Sequence, residues 1–203
     1  MIKNIIFDFG DIFINLDKEA TYREMAKLGV SKITPQMIQV YQEYEKGLME
    51  TADFINYFSS SFLISKNDLV FAWNAILLDF PENRLEFLQE IAHSEKFRLF
   101  LLSNTNDLHI TSVKNSVGIP FYTEFKNCFE QFYLSHEINL RKPDKEIYEF
   151  VLETNQLKPE ETLFIDDLKE NTDAAKMLGI HVWNLNPTTE NIAELFKKNS
   201  HLF

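Results

Sequence analysis

The chain has 203 residues, 45% of them hydrophobic and 25% charged, which suits one domain with a large insert or two small domains. A formal net charge of −11, with no local basic patch, excludes nucleic acid and anionic membranes as expected partners. Cys128 is the only cysteine, which excludes an intrachain disulfide and a multi-cysteine metal site. No stretch has the pattern of a signal peptide or a spanning helix, so we predict a cytoplasmic protein.

The first predicted element is a strand, Ile5–Phe9, and a long helical region follows it. Between about residue 17 and residue 81 the sequence shows helical periodicity and no convincing strand. Four apolar stripes predict helices there, within Tyr22–Leu28, Met37–Tyr44, Phe54–Phe62 and Leu69–Leu77. We interpret this insert as a cap that closes a site. A helical subdomain with only a packing role is the alternative.

The rest of the chain alternates between strand and helix patterns. Further strands are predicted at Phe97–Leu102, Phe132–Leu134, Thr162–Ile165 and His181–Leu185. Gly179 is placed to end the helix before the last strand, and a final amphipathic helix is predicted over Asn191–Lys198. The alternation predicts an α/β fold, a doubly wound parallel sheet with a Rossmann-like core at residues 1–16 and 82–203 and a helical cap at residues 17–81. Ligands bind such sheets at the carboxyl ends of the strands.

Polar residues follow the first two strands at this edge of the sheet. Asp8 closes an apolar strand, where a carboxylate is costly to bury unless it is paired or metal-bound, although a turn cap would also explain it. The second strand ends in Ser103-Asn104, ahead of a predicted helix. Their polar groups and the free N–H groups of such a turn suit a phosphate oxygen, but serine and asparagine are also ordinary N-caps.

Lys142 precedes Pro143, which is predicted in the first turn of a helix. A lysine beside a helix N-terminus faces the positive end of the dipole, which is unfavourable unless an anion shares the site. An acidic protein needs such a cation if its substrate is an anion. A solvated surface lysine is the alternative interpretation.

The fourth strand ends in two adjacent carboxylates, Asp166 and Asp167, whose mutual repulsion a cation would relieve. If the first and fourth strands are neighbours, Asp8 and Asp167 meet at one edge. Oxygen ligands without histidine or cysteine favour magnesium over zinc. Asn171, one helical turn further on, could orient these ligands.

The four groups of polar residues described above match a known pattern. The motifs IIFDFGDI, LLSNTN, RKP and LFIDDLKEN occur in the order of the haloacid dehalogenase-like superfamily, which the chain resembles over essentially its whole length. The versions found here look like those of bacterial glucose 1-phosphate phosphatases and of the N-terminal phosphatase domain of soluble epoxide hydrolase. The resemblance implies a hydrolase that acts on a small phosphorylated metabolite with Mg²⁺, as a monomer or weak dimer.

The resemblance also implies a role for each motif residue. Asp8 would attack phosphorus and become an aspartyl phosphate. Magnesium would be held by Asp8, the Gly10 carbonyl and Asp167. Asp166 and Asn171 would support these ligands.

The phosphoryl group would have its own partners. Ser103 and the Asn104 amide would hold phosphoryl oxygens, and Lys142 would pair with Asp8 and the phosphate. Ser103 and Lys142 therefore count, with Asp8, as the expected catalytic residues. Phosphoryl transfer depends mainly on positioning and charge neutralisation, which a metal and one lysine provide.

The pattern breaks at Gly10. Most phosphatases of this superfamily have a second aspartate there, which protonates the leaving oxygen and later activates water. A general acid–base group of this kind contributes about 10²–10⁴ in rate. Asp11 is offset by one residue and points to the opposite face, so it could replace the acid only if the loop kinks.

Three interpretations stay open. The first is a phosphatase whose substrates leave easily, such as anomeric sugar phosphates or acyl phosphates, because the glucose 1-phosphate phosphatases also have glycine here. The second is a haloacid dehalogenase, which needs neither the second aspartate nor a metal, so the Asp166-Asp167 pair argues against it. The third is a catalytically weak relative that binds a phosphorylated ligand or a partner protein. Elsewhere, His109 is interpreted as a surface helix residue, and Trp73 as part of the cap's packing.

Overall fold

Five parallel strands form one sheet in the computed structural model, which describes residues 1–203. The strands lie in the order β3-β2-β1-β4-β5. Their bounds are β1 Asn4–Phe7, β2 Arg98–Ser103, β3 Gln131–Leu134, β4 Thr162–Asp166 and β5 His181–Asn184. All five predicted strands are present, with boundaries shifted by at most two residues, and the doubly wound parallel sheet is confirmed.

Strand β1 lies at the centre because it is apolar on both faces. Ile5, Ile6 and Phe7 are at most 1% exposed. One face of the sheet packs on a core that includes Ile5 and Phe7, and the other on a core that includes Ile6, so helices cover both sides. Phe7 pairs with Leu101 of β2 and with Ile165 of β4. The carboxyl ends of the three central strands therefore meet at one edge.

Seven helices surround the sheet. They are α5 Glu82–His93, α6 Asp107–Val117, α7 Ile119–Asn127, α8 Ser135–Ile138, α9 Lys145–Thr154, α10 Lys169–Met177 and α11 Leu195–Lys198. Helix α10 ends as predicted, with Gly179 in the left-handed region at φ +83°. The predicted final helix is instead a 3₁₀ turn, Ile192–Glu194, followed by α11. A capping box between Asn191 and Glu194 holds this tight turn at its start.

The segment between β1 and β2 forms the helical insert, residues 17–81. Its helices are α1 Ala20–Lys27, α2 Pro35–Glu45, α3 Thr51–Phe62 and α4 Lys66–Asn74. They pack around a core of their own that includes Phe54, Phe58 and Trp73. Helix α4 stops before Leu77 because Leu77 pairs with Leu16 in an antiparallel bridge.

Backbone hydrogen bonds between residues 15–17 and residues 76–79 form the first connection between the insert and the sheet. The N–H of Asn15 donates to the carbonyl of Asp79 at 2.9 Å, and the N–H of Asp17 donates to Ile76 at 2.9 Å. A second connection lies over the carboxyl edge, where the Ser135 hydroxyl donates to the Glu45 carbonyl at 2.6 Å. The insert therefore lies over the carboxyl edge of the sheet. None of the helices has the length and apolarity that crossing a membrane requires.

Candidate active site

Asp8 lies directly after the central strand. Its N–H donates to the carbonyl of Ile165 at 2.9 Å, which extends the parallel ladder by one residue. Asp8 is 8% exposed, so the strand delivers a nearly buried carboxylate to the edge of the sheet. A buried carboxylate needs a partner, and the structure provides a cation.

The cation is Lys142, which is 1% exposed. Its Nζ lies 2.7 Å from Oδ1 of Asp8 and 2.7 Å from Oδ2 of Asp166. Asn104 positions it by two bonds to the Lys142 main chain, in which its Nδ2 donates to the carbonyl and its Oδ1 accepts from the N–H, both at 2.8 Å. One buried ammonium thus joins the carboxylates at the ends of β1 and β4.

The sequence predicts Pro143 in the first turn of the following helix, but in the structure it lies before that helix. Helix α9 begins at Lys145, after the N-cap residue Asp144, and residues 142–143 form a turn. Asp144 has an extended backbone at ψ 132°, and its N–H donates to the Arg141 carbonyl. Lys142 therefore projects from this turn and not from a helix.

The three carboxylates at this edge could hold a metal ion. One oxygen from each of Asp8, Asp166 and Asp167 lies within 4.8 Å of the others. Nδ2 of Asn171 donates to both oxygens of Asp166, at 3.0 and 3.1 Å, and the Leu168 N–H donates to Oδ1 at 2.8 Å. Together with the bond from Lys142, these bonds occupy both oxygens of Asp166. Asp8 and Asp167 are therefore the carboxylates that could coordinate a cation. The all-oxygen set fits a hard divalent ion such as Mg²⁺.

Ser103 is the last residue of strand β2, and Asn104 follows it at the same edge. Ser103 is 2% exposed, and both residues line the cavity above Asp8. The Asn104 side chain is bonded to Lys142, so the backbone N–H of Asn104, not its side chain, is available to a phosphoryl oxygen.

Burial raises the pKa of the Asp8 carboxyl to about 7. The Lys142 ammonium opposes this effect, whereas the negative charges of Asp166 and Asp167 add to it. Burial would lower the pKa of Lys142, but its two carboxylate partners outweigh burial and raise that pKa. Lys142 therefore stays charged, while Asp8 gains a proton as the pH falls through about 7.

This shift predicts that magnesium binding depends on pH. Since a metal ligand must be deprotonated, a proton and a metal held by Asp8 would compete, and for that arrangement we expect affinity to fall about tenfold per pH unit below about pH 7. Above about pH 8 the affinity should level off. Calorimetric titration with MgCl₂ across this range measures the effect. An affinity that stays constant from about pH 6 to about pH 8 would contradict the assignment of Asp8 as a ligand with a raised pKa.

Sequence reasoning missed Lys18, which lies at the start of the helical insert. Its Nζ is paired with Asp167 and lies 3.0 Å from Oδ2 of Asp11. The loop does kink at Asp11, with φ +56°, but Oδ1 of Asp11 accepts the N–H of Leu16 at 3.0 Å. Both Asp11 oxygens are thus engaged, so the kink does not free its carboxyl for the reaction.

A second missed group joins the insert to the core. Glu45 is 4% exposed and accepts from Nε of Arg141 at 2.8 Å and from the Tyr41 hydroxyl at 2.6 Å. The sequence does hold a signal for Glu45, because it lies one helical turn after Tyr41 on the apolar face of α2. All three residues line the cavity above Asp8, so the insert contributes polar as well as apolar walls.

The cavity above Asp8 has a volume of about 440 Å³. Core residues form its floor, and residues of the insert, including Tyr22 and Tyr41, form its roof. His109 also lines it, which corrects the expectation of a surface helix residue. Its Nε2 lies 3.3 Å from the Trp73 carbonyl, and burial lowers its pKa to about 4, so it is neutral at physiological pH.

Comparison with known proteins places this arrangement in a family. The profile of the haloacid dehalogenase-like hydrolases matches residues 2–179. The chain is 25% identical to D-ribitol-5-phosphate phosphatase of Bacteroides thetaiotaomicron over 190 residues, 90% of this chain and 91% of that protein. It is 21% identical to the sesquiterpene phosphatase astK of Aspergillus oryzae over 194 residues, 89% of each chain.

A solved structure agrees over the whole fold. It is a haloacid dehalogenase family enzyme from Bacteroides thetaiotaomicron in complex with magnesium, 34% identical, with a TM-score of 0.85 and coverage of 97% of this chain and 98% of that one. The resemblance carried by the four motifs is thereby confirmed at the level of the family. This chain belongs to the haloacid dehalogenase-like hydrolases.

Proposed function

We propose that this hydrolase releases phosphate from a small phosphomonoester, with Mg²⁺ as cofactor and an aspartyl-phosphate intermediate on Asp8. The observation that carries the proposal is the placement of Lys142. A buried ammonium 2.7 Å from both Asp8 and Asp166 holds a nucleophilic carboxylate at the floor of a cavity while balancing its charge. Phosphoryl transfer needs this combination of positioning and charge neutralisation.

In the proposed first step, one oxygen of Asp8 attacks phosphorus. Oδ1 is bonded to Lys142, so Oδ2 is the oxygen free to form the new P–O bond. The P–O bond to the alcohol breaks, and the alkoxide takes a proton from solvent water, because residue 10 is a glycine and has no acid to donate one. In the second step a water oxygen attacks phosphorus, Asp8 departs as a carboxylate, and inorganic phosphate is released.

In this proposal Asp8, the Gly10 carbonyl and Asp167 hold the metal, and Asn171 fixes Asp166 beside it. The ion would neutralise negative charge on the phosphoryl group when bound. The structural relative solved with magnesium supports the choice of ion. The Lys18 ammonium that pairs with Asp167 would have to move aside for the ion.

Ser103, the Asn104 N–H and Lys142 are the proposed partners of the phosphoryl oxygens. Ser103 and Asn104 end the strand next to β1, and Lys142 already contacts Asp8. Residues 17–81 act in this proposal as the cap, because their helices roof the cavity. The monomeric or weakly dimeric state and the cytoplasmic location stay predictions.

The leaving group is less constrained than the phosphoryl site. The motif resemblance favours a sugar phosphate, and the relative named for D-ribitol 5-phosphate supports this choice. The relative named a sesquiterpene phosphatase supports a more apolar alcohol. Both are phosphomonoesters, so the proposed chemistry is the same for either.

Phosphate release from a substrate panel tests the function. Glucose 1-phosphate, ribitol 5-phosphate, acetyl phosphate and p-nitrophenyl phosphate are each incubated with magnesium or with a chelator. We expect release only with magnesium, and fastest from esters whose alcohol departs easily, because no carboxylate at residue 10 protonates it. If no substrate releases phosphate, the proposal fails in favour of a binding role. Chloride release from chloroacetate would instead support the dehalogenase.

Placing a carboxyl at residue 10 tests how much the reaction rate depends on a general acid there. A Cβ built on Gly10 would lie 2.7 Å from Cδ1 of Leu16 and 3.9 Å from Oδ2 of Asp8, so Leu16 must move to admit a side chain. We therefore expect Gly10→Asp with Leu16→Ala to raise kcat on poor leaving groups by up to about 10². The single Gly10→Asp change should gain less.

Leu16→Ala alone is the control for this pair, measured with an alkyl phosphate and with acetyl phosphate. The gain should be confined to the alkyl phosphate, whose alcohol needs a proton to depart. Equal or lower activity of the double variant on both substrates would show that the proton reaches the leaving group by another route.

A further inference from the structure

A second cavity lies within the helical insert, next to the cavity above Asp8. Its volume is about 210 Å³. Most of its lining is apolar and comes from α1, α2, α3 and the loop between α1 and α2: Met25, Val30, Ile33, Met37, Ile38 and Phe58. Lys18, Tyr22, Tyr41, Ile76 and His109 line this cavity and also the cavity above Asp8. The two are therefore neighbouring compartments with a common wall, and we call the second one the insert cavity.

Three polar side chains around the insert cavity, Thr21, Tyr41 and His109, are already bonded within the protein. The Thr21 hydroxyl donates to the Trp73 carbonyl at 3.1 Å, and the Tyr41 hydroxyl donates to Glu45 at 2.6 Å. The ring nitrogens of His109 lie 3.2 Å from Nδ2 of Asn106 and 3.3 Å from the Trp73 carbonyl. A polyol here would leave several hydroxyl groups unpaired, and each unpaired group weakens binding.

Trp73 carries a buried polar group beside this cavity that is not bonded. It lines the insert cavity and is 8% exposed, and its indole Nε1 has no hydrogen-bond partner. A buried tryptophan N–H usually finds an acceptor. This N–H is itself closed to water, so Trp73 adds an aromatic face to the lining and no exposed donor.

The size of the insert cavity limits what it can hold. An apolar cavity of about 150 Å³ accommodates benzene, so 210 Å³ has room for roughly eight carbon atoms. Ile33 and Ile38 are 49% and 46% exposed at its margin, so apolar surface there is open to water. Covering it with a hydrocarbon group would be favourable.

We propose that the insert cavity binds an apolar portion of the leaving group, so that the substrate is the phosphate ester of an alcohol with a hydrocarbon or aromatic part of about eight carbons. This inference rests on the proposed phosphatase function and names its substrate class. The phosphate occupies the site above Asp8 and the apolar end lies among residues of α1 to α3, with the chain passing the residues that line both cavities.

Binding of unreactive ligands tests this proposal independently of turnover. Ethyl-, butyl-, hexyl- and octylphosphonate, together with ribitol 5-phosphate, are titrated by calorimetry in the presence of magnesium, with Asp8→Asn used for the hydrolysable ester. Burying a methylene is worth about 0.8 kcal/mol, so once the chain is long enough to reach the insert cavity we expect affinity to rise about fourfold per added carbon, up to roughly eight carbons. Octylphosphonate should bind more tightly than ribitol 5-phosphate. Equal affinity along the series, or tighter binding of the polyol, overturns the proposal and leaves the cavity as a packing gap.

A matched pair of variants separates the insert cavity from non-specific binding of alkyl chains. Ile38→Asp puts a charge at the cavity margin, whereas Phe71→Asp changes a cap residue that is 70% exposed and does not line the cavity. We expect Ile38→Asp to weaken octylphosphonate at least tenfold and to leave ethylphosphonate within twofold, with Phe71→Asp unchanged for both. Equal effects of the two variants contradict the proposal. Acetyl phosphate turnover, measured on the same proteins, reports on the phosphatase function separately, because its acyl group is too short to enter the insert cavity.

Discussion

Asp8→Asn should lower kcat by at least about 10⁴-fold while the protein stays folded. An amide oxygen can still accept the bond from Lys142, but it cannot attack phosphorus as a carboxylate does. Folding should be unaffected, because the change removes a buried carboxyl whose pKa is already raised. Phosphate release at saturating magnesium and substrate measures the loss, and thermal melting checks the fold.

Asp173→Asn is the matched control for this change. Asp173 lies on the surface of α10, paired with Lys169, and the same substitution there should leave kcat within about twofold. Acid-quenched wild-type enzyme should also carry phosphate on the peptide that contains Asp8. Turnover in Asp8→Asn, or phosphate found on a different residue, would remove the nucleophile assignment.

Lys142→Met should have the largest effect on stability. Methionine fills a similar volume, but it leaves Asp8 and Asp166 side by side, buried and without their cation. Breaking a buried pair in this way costs about 3–5 kcal/mol of unfolding free energy at neutral pH. The loss should shrink as the pH falls and Asp8 becomes protonated. Denaturant unfolding at two pH values measures it, and phosphate release should be absent at both.

Two further variants separate charge from packing at this position. Lys145→Met removes an exposed lysine three residues later and should leave stability and activity unchanged. Adding Asp166→Asn to Lys142→Met removes one of the uncompensated charges and should recover part of the stability without restoring activity. If Lys142→Met unfolds at the same denaturant concentration as wild type, the ion pairs are not what balances Asp8.

Most of the sheet could be predicted from the sequence, because buried parallel strands are short apolar runs with clear ends. Helix α7 could not. Gly118 and Pro120 indicate a break, and Gly118 does end α6 with φ +84°, but a new helix starts at once and buries Tyr122 and Phe125. Glycine and proline in the sequence indicate where a helix ends. They do not indicate that the next segment forms a new helix because its side chains pack into the core.

The residues of the candidate site also fall into those that the sequence predicts and those that it does not. Asp8, Ser103 and Asp166 lie at the carboxyl ends of strands, so the parallel order of the sheet is enough to bring them together. Glu45 and Arg141 form their ion pair across 96 positions of the chain, and no local pattern predicts such a contact. Residues contributed by the core were therefore predictable, whereas those that depend on how the insert sits over the core were not.

The central position of β1 determines at what stage of unfolding Asp8 loses its alignment with Lys142. Its amides are paired with neighbours on both sides, and the bond from the Asp8 N–H to Ile165 continues that ladder. Hydrogen exchange at such amides requires the whole sheet to open. The proposed nucleophile therefore belongs to the last cooperative unit to unfold, and local fraying at the surface leaves its alignment with Lys142 unchanged.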